Sequence, residues 1–322
     1  MSVPIADQLT DHEPSLSRVD LVPIQTAAPR RGEYHRLPLL ARHRRFWWRP
    51  LVALAVFGGS YVAMLIVAMV PLLILGLLVP GLAPSEELSD ARNPMDMLLM
   101  LGLTAVMIPA TLLASRLAYG RARIVHSVAG RLRWGLMGRA ALVVVPLYLL
   151  MNIGGTLVGE WGAFEVPAPS AGVVAAFAII VLLVPLQAAA EEYAFRALPM
   201  QALGTWLRSP LWGIFLPVPL FVVLHGYNRV GQIDVAVFAI AAGLLAWKTG
   251  GLELPILVHV ANNWTLFILT PALPGALEQG AVPPVALLTS TLPTVILTAG
   301  LWWWYSRREG LSIMEPRTAQ DA

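Results

Sequence analysis

Long apolar stretches separated by short polar ones recur along most of the chain. A helix that crosses the hydrocarbon core of a bilayer needs about 20 apolar residues. The pattern therefore predicts an all-α, polytopic membrane protein with about eight transmembrane helices. Seven of the predicted spans cover approximately residues 51–79, 97–118, 140–158, 211–227, 234–248, 254–269 and 285–305. The fourth span begins near residue 171 and includes Glu191, and it reaches about residue 204 if Pro199 only kinks the helix.

Composition supports this class. Hydrophobic residues make up 57% of the 322 positions and charged residues 13%, whereas a soluble domain carries about 25% charge. The chain has no cysteine, which excludes disulfides, thiolate metal sites and a cysteine nucleophile. The expected surroundings are a lipid bilayer, with no nucleic acid.

The polar segments predict how the chain is organised. Residues 1–45 are polar and rich in proline, which predicts a disordered cytoplasmic tail. We expect N-terminal transmembrane helices in residues 46–170, a core segment in residues 171–270, and the last helix with a cytoplasmic tail in residues 271–322. Arginines cluster in alternate loops, and positive loops mark the cytoplasmic side. Both termini are therefore predicted to be cytoplasmic, in a membrane that is expected to be bacterial.

Two adjacent carboxylates stand out in the fourth apolar span. Charged groups inside a membrane helix are costly and usually have a partner or a function. Glu192 and Arg196 are four residues apart on one helix face, so we expect a structural ion pair. Glu191 points about 100° away and has no cation at that spacing, which makes it the candidate for chemistry.

Three further polar residues lie in other apolar spans: His225, His259 and Asn263. Each alone is consistent with helix packing. Counting residues from the connecting turns, however, brings Glu191 and both histidines to a similar depth, because a helix rises about 1.5 Å per residue. We therefore expect a polar site inside the helix bundle.

These side chains suit the attack of water on a carbonyl. A carboxylate and an imidazole can hold and deprotonate water, and a second imidazole and an amide can stabilise an oxyanion. This chemistry fits peptide hydrolysis without a cofactor. Glu191, His225 and His259 could instead bind zinc, which would acidify the water. The residues alone leave both mechanisms open.

Three short motifs follow one another in this part of the chain. E-E-Y-A-F-R fits E-E-x-x-x-R, F-V-V-L-H fits F-x-x-x-H, and H-V-A-N-N fits H-x-x-x-N. In this order they resemble the CPBP family of intramembrane proteases (CAAX protease and bacteriocin-processing, also called ABI), which includes the CAAX prenyl protease type 2-like enzymes. The match covers about residues 171–269. It implies a catalytic core in residues 171–270 and a peptide or membrane-protein substrate.

The resemblance implies a role for each residue. Glu191 and His225 would activate water, His259 and Asn263 would form the oxyanion site, and Glu192 with Arg196 would support them. The family has been labelled as metalloproteases, although a metal-free, glutamate-dependent mechanism is the interpretation we favour. The alternative is a non-proteolytic membrane partner, immunity or transport protein that uses the same polar layer as a binding site.

Overall fold

The computed structural model describes residues 32–41, 47–79, 81–159, 161–273, 275–277, 282 and 284–322. Within these ranges the regular structure is helical, and no strand is present apart from two isolated bridges. The α-helices are α1 Pro38–Ala41, α2 Arg49–Leu78, α3 Pro94–Met97, α4 Leu103–Ala105, α5 Met107–Tyr119, α6 Trp134–Tyr148, α7 Gly154–Gly159, α8 Ala171–Glu192, α9 Leu198–Trp206, α10 Leu211–Phe215, α11 Val218–Val223, α12 Arg229–Thr249, α13 Glu253–Phe267 and α14 Leu292–Glu309.

Several of these helices continue into one another through short π-helical turns, which produces longer rods. Five rods in the described part of the chain are long and apolar enough to cross a membrane. They are Arg49–Leu78, Pro94–Tyr119, Trp134–Leu157, Ala171–Trp206 and Arg229–Thr249. The all-helical membrane class is confirmed, but the count of eight spans is not. The other three predicted spans correspond to the broken helix Leu211–Val223, to α13 and to α14.

The rod Ala171–Trp206 carries the two adjacent carboxylates. It begins at Ser170, whose hydroxyl accepts a hydrogen bond from the Val173 amide at 3.2 Å. A π-helical turn, Tyr193–Ala197, follows Glu192 directly. Pro199 has no amide hydrogen and its ring would clash with the carbonyl four residues earlier, so a widened turn just before it lets the helix continue.

Helix α13 lies at the centre of the bundle. It packs against α6, α8 and α12, and its first seven residues are all buried. Apolar residues from α6, α12, α13 and α14 form one core cluster around it. In contrast, α2 leaves large apolar side chains such as Val67 and Leu77 exposed. An apolar surface of this size suits contact with lipid.

Polar segments meet at each end of the bundle. At one end, the arginine-rich loop contacts the α12–α13 turn, because the Val128 amide donates to the Gly250 carbonyl at 2.7 Å. At the other end, the Arg92 guanidinium donates to the carbonyls of Pro271 and Glu165. These contacts join loops that lie far apart in the sequence, and the predicted orientation of the loops in a membrane stays a prediction.

Most of the predicted disordered tail, residues 1–45, lies outside the described residues. Residues 32–41 are described, and they are folded. The Tyr34 side chain is fully buried and its hydroxyl donates to the Val125 carbonyl. The Ala319 amide donates to the Gly32 carbonyl at 2.8 Å. The prediction of disorder was therefore wrong for residues 32–41. The polar composition of the tail gave no sign of this segment, which packs on the bundle through the buried ring of Tyr34.

Candidate active site

Glu192 occupies the last position of α8 and is fully buried. Its Oε2 atom lies 3.3 Å from Arg196 Nε, which forms the predicted ion pair one helical turn apart. Its Oε1 atom accepts a hydrogen bond of 2.7 Å from His259 Nδ1. Glu192 therefore joins α8 to α13 as well as supporting its own helix.

His259 lies between the two glutamates. Since an ionised carboxylate can only accept, the bond to Glu192 requires a proton on Nδ1. The opposite ring atom, Nε2, faces Glu191 and is 3.6 Å from its Oε2. This distance is longer than a direct hydrogen bond, and a water that bonds to both atoms can bridge it.

Glu191 has a different environment from its neighbour. Its side chain is 14% exposed. Oε1 accepts a hydrogen bond of 2.6 Å from Gln187 Nε2. Oε2 is buried and has no hydrogen-bond partner within the described ranges. One carboxylate oxygen is thus held in place, while the other is available beside an imidazole.

Asn263 reaches the same place from the next turn of α13. Its Nδ2 donates to Gln187 Oε1 at 3.2 Å, and its Oδ1 accepts from Asn262 Nδ2 at 3.1 Å. The structure therefore brings three of the four predicted catalytic residues together: Glu191, His259 and Asn263. It adds Gln187 between them. The sequence analysis missed Gln187, although its spacing of four residues before Glu191 was a usable signal.

His225 departs from the prediction that it lies inside an apolar helix. Helix α11 ends at Val223, and Gly226 adopts φ +62° just beyond. The His225 Nδ1 atom is 2.7 Å from the Phe221 carbonyl and donates to it across the end of the helix. Within the described residues no hydrogen bond or ion pair joins His225 to the other three candidates.

Aromatic contacts nevertheless connect His225 to the site. Its ring centroid is 4.5 Å from that of Phe221. The Arg196 guanidinium carbon lies 4.1 Å from the Phe221 centroid and 5.8 Å from that of Phe238. The terminal nitrogens of Arg196 have no hydrogen-bond partner in the described part of the chain. These rings therefore surround the buried cation as cation–π partners.

The zinc alternative requires three converging ligands. Among the described residues, no group of three or more His, Cys, Asp or Glu side chains is arranged to hold a metal ion. Glu191 and His259 converge, whereas His225 does not join them in a group of three among the described residues. The donor set Glu191, His225 and His259 does not fit a metal ion in this arrangement.

A second buried ion pair fixes the start of α13 and was not predicted. Arg133 Nε and Nη2 donate to the two oxygens of Glu253, each at 2.8 Å. Arg133 also donates to the Thr249 carbonyl and to the Tyr305 hydroxyl. Burial lowers the pKa of Arg133, but the hydrogen bonds and charge of Glu253 outweigh burial and raise it overall. The pair sets the position of the helix that carries His259.

The region around this site is similar to a known protein family. Residues 172–265 match the family described as type II CAAX prenyl endopeptidase Rce1-like. The match covers the region that carries the three motifs, and it confirms the resemblance predicted from them.

One curated relative is the uncharacterized protein YyaK of Bacillus subtilis (strain 168). It is 27% identical over 147 residues, which cover 41% of this chain and 48% of that protein. The alignment thus spans about half of the relative's length. No solved structure matches the chain significantly.

Proposed function

We propose that this protein is an intramembrane endopeptidase that hydrolyses a peptide bond with a water activated by Glu191 beside His259. The observation that carries the proposal is the pair of facing atoms Glu191 Oε2 and His259 Nε2, 3.6 Å apart. Oε2 is buried and has no partner among the described residues. A water placed beside this pair of atoms, within hydrogen-bond reach of each, would be oriented by both.

The reaction follows from the positions of the groups. Glu191 Oε2 takes a proton from the water, and the hydroxide oxygen attacks the carbonyl carbon of the scissile peptide bond. The carbonyl oxygen becomes an oxyanion. The proton then passes to the peptide nitrogen, the C–N bond breaks, and a carboxylate and an amine leave.

Asn263 is positioned to stabilise the oxyanion. One N–H of its amide is bonded to Gln187. Its second N–H has no acceptor among the described residues and can donate to the oxyanion. His259 Nε2 accepts from the water when the ring is neutral, and it donates to the oxyanion when the ring is charged. The role of His259 implied by the family resemblance fits the second of these states.

His225 would take part in the reaction only once a peptide is bound. Its Nδ1 atom caps α11, so only Nε2 can reach the reactants. Catalytic hydrogen bonds are often long without substrate and tighten in its complex. We assign His225 to the activation of the same water once a peptide is bound, through movement of residues 224–228 between α11 and α12.

The test is to identify the cleaved peptide bond. Membranes containing the wild-type protein or the Glu191→Gln variant are compared by mass spectrometry for peptides that accumulate only with the wild type. Each sample is prepared with and without a chelator. The proposal expects wild-type-specific peptides that persist in chelator. Identical peptides in both samples would instead support a non-proteolytic role, and loss in chelator alone would support a metal-dependent one.

A further inference from the structure

A chain of side-chain amides runs from α13 to Glu191. Asn262 Nδ2 bonds to Asn263 Oδ1, and Asn263 Nδ2 bonds to Gln187 Oε1. Gln187 Nε2 then bonds to Glu191 Oε1. Upstream, Asn152 Nδ2 lies 3.4 Å from Asn262 Oδ1 and 3.1 Å from its backbone carbonyl. The chain therefore links the π-turn after α6, helix α13 and helix α8.

The direction of every bond in this chain is set by Glu191. An ionised carboxylate accepts hydrogen bonds and cannot donate them. Gln187 must therefore present its NH₂ group to Glu191 and its oxygen to Asn263. Asn263 must in turn present NH₂ to Gln187 and its oxygen to Asn262. Each amide has a single allowed orientation, so the carboxylate orders the whole chain.

The fixed orientation of these amides affects both the proposed base, Glu191, and the proposed oxyanion donor, Asn263. Gln187 occupies Oε1 of Glu191, which leaves Oε2 as the oxygen that faces His259. Gln187 also occupies one N–H of Asn263, so the second N–H is the one available for an oxyanion. A single amide thus fixes the orientation of the base and of the oxyanion donor relative to each other.

We propose that Gln187 is a positioning residue of the active site, through which the amide chain holds Glu191 and Asn263 in their reactive orientations. Its side chain is 8% exposed and bonds to those two residues. The inference rests on the proposed hydrolysis. It adds a residue that lies outside the three sequence motifs.

The experiment measures cleavage by the purified full-length protein, with the peptide identified above as substrate. Gln187→Met keeps the length of the side chain and removes both hydrogen bonds. Loss of a hydrogen bond to a charged group changes an equilibrium constant by about 10- to 100-fold. We expect kcat to fall by about that factor with KM nearly unchanged, because the substrate is bound and the reacting groups are misoriented.

Two further variants separate positioning from folding. Gln187→Glu keeps the acceptor for Asn263 but places a second carboxylate against Glu191, so we expect kcat to fall at least as far. Gln201→Met is the matched control. Gln201 is buried at 1% exposure in the same rod, and its amide donates to the Ile124 carbonyl at 2.8 Å. It should lose stability but keep kcat.

The outcomes are distinguishable. If Glu191→Gln retains activity, the proposed hydrolysis fails. If Glu191→Gln is inactive while Gln187→Met or Gln187→Glu keeps the wild-type kcat, the positioning role fails and the hydrolysis stands. An equal fall of kcat in the Gln201→Met control would also overturn the positioning role, since the loss would then follow from any missing buried amide in this rod.

Discussion

At the scale of single residues, the two adjacent glutamates have different surroundings. Glu192 is fully buried, forms an ion pair with Arg196 and accepts a hydrogen bond from His259. Glu191 is partly exposed and accepts only from the neutral Gln187 among the described residues. Removing one partner of a buried ion pair costs about 3–5 kcal/mol, because the other charge remains buried. These surroundings favour a stabilising role for Glu192, and they are consistent with the catalytic role proposed for Glu191.

We predict that Glu192→Gln destabilises the protein by about 3 kcal/mol or more, whereas Glu191→Gln leaves stability close to the wild type. The thermal midpoint of each variant in detergent checks this difference. Equal midpoints for the two variants would show that Glu192 does not hold the buried pair together.

The sequence predicted the ion pair of Glu192 and Arg196 because opposite charges at i and i+4 share a helix face. Gln187 and Glu191 have the same spacing, which was a usable signal, but a neutral amide stands out less than a charge of opposite sign. The contacts of Asn152 with Asn262 and Thr265 join elements more than 100 positions apart. No local pattern contains such a contact, so it emerges only from the packing of α13.

At the scale of elements, the turn between α12 and α13 determines where His259 lies. Gly251 sits inside this turn against the ion pair of Arg133 and Glu253. A Cβ atom at Gly251 would lie 2.4 Å from Glu253 Oε2 and 2.5 Å from Ser127 Cβ. Both separations are too short for real contacts, so a larger residue has to displace the pair.

We predict that Gly251→Ala destabilises the protein by about 1–3 kcal/mol and lowers the proposed activity, because displacement of Glu253 shifts the start of α13. Gly135→Ala is the control. Gly135 lies in α6, and a Cβ atom there meets nothing within 4 Å. Thermal unfolding and cleavage are measured for both. A Gly251→Ala variant as stable and active as Gly135→Ala would contradict the account.

The sequence predicted the long apolar helices well, but it predicted the residues at which they end less well. The rod Ala171–Trp206 continues past Pro199 because the π-turn accommodates the ring. The helix that carries Phe221 was predicted to run to residue 227 and ends at Val223. Gly226 was the available signal, since glycine is favoured just beyond a helix end.

At the scale of the whole molecule, the C-terminal segment closes one end of the bundle. Lys248 is buried at the end of α12 and donates to the carbonyls of Ser312, Ile313 and Glu315. The Arg317 amide donates back to the Lys248 carbonyl at 3.0 Å. One ammonium group thus holds a loop that has no regular structure of its own.

We predict that Lys248→Met lowers the free energy of unfolding by about 1.5–3 kcal/mol and makes residues 311–322 susceptible to protease. The ammonium supplies donors to three carbonyls that a methionine leaves unbonded. Limited proteolysis and the thermal midpoint measure the two effects. Wild-type resistance in this variant would mean that other contacts hold the segment.

The central claim is that Glu191 removes a proton from the attacking water. The most direct measurement is kcat of the purified Glu191→Gln variant on the identified peptide, with the exposed-loop variant Glu165→Gln as control. Loss of a general base predicts a fall of about 100- to 10,000-fold, with an intact fold and unchanged kcat in the control. A Glu191→Gln variant that cleaves at the wild-type rate would contradict the account.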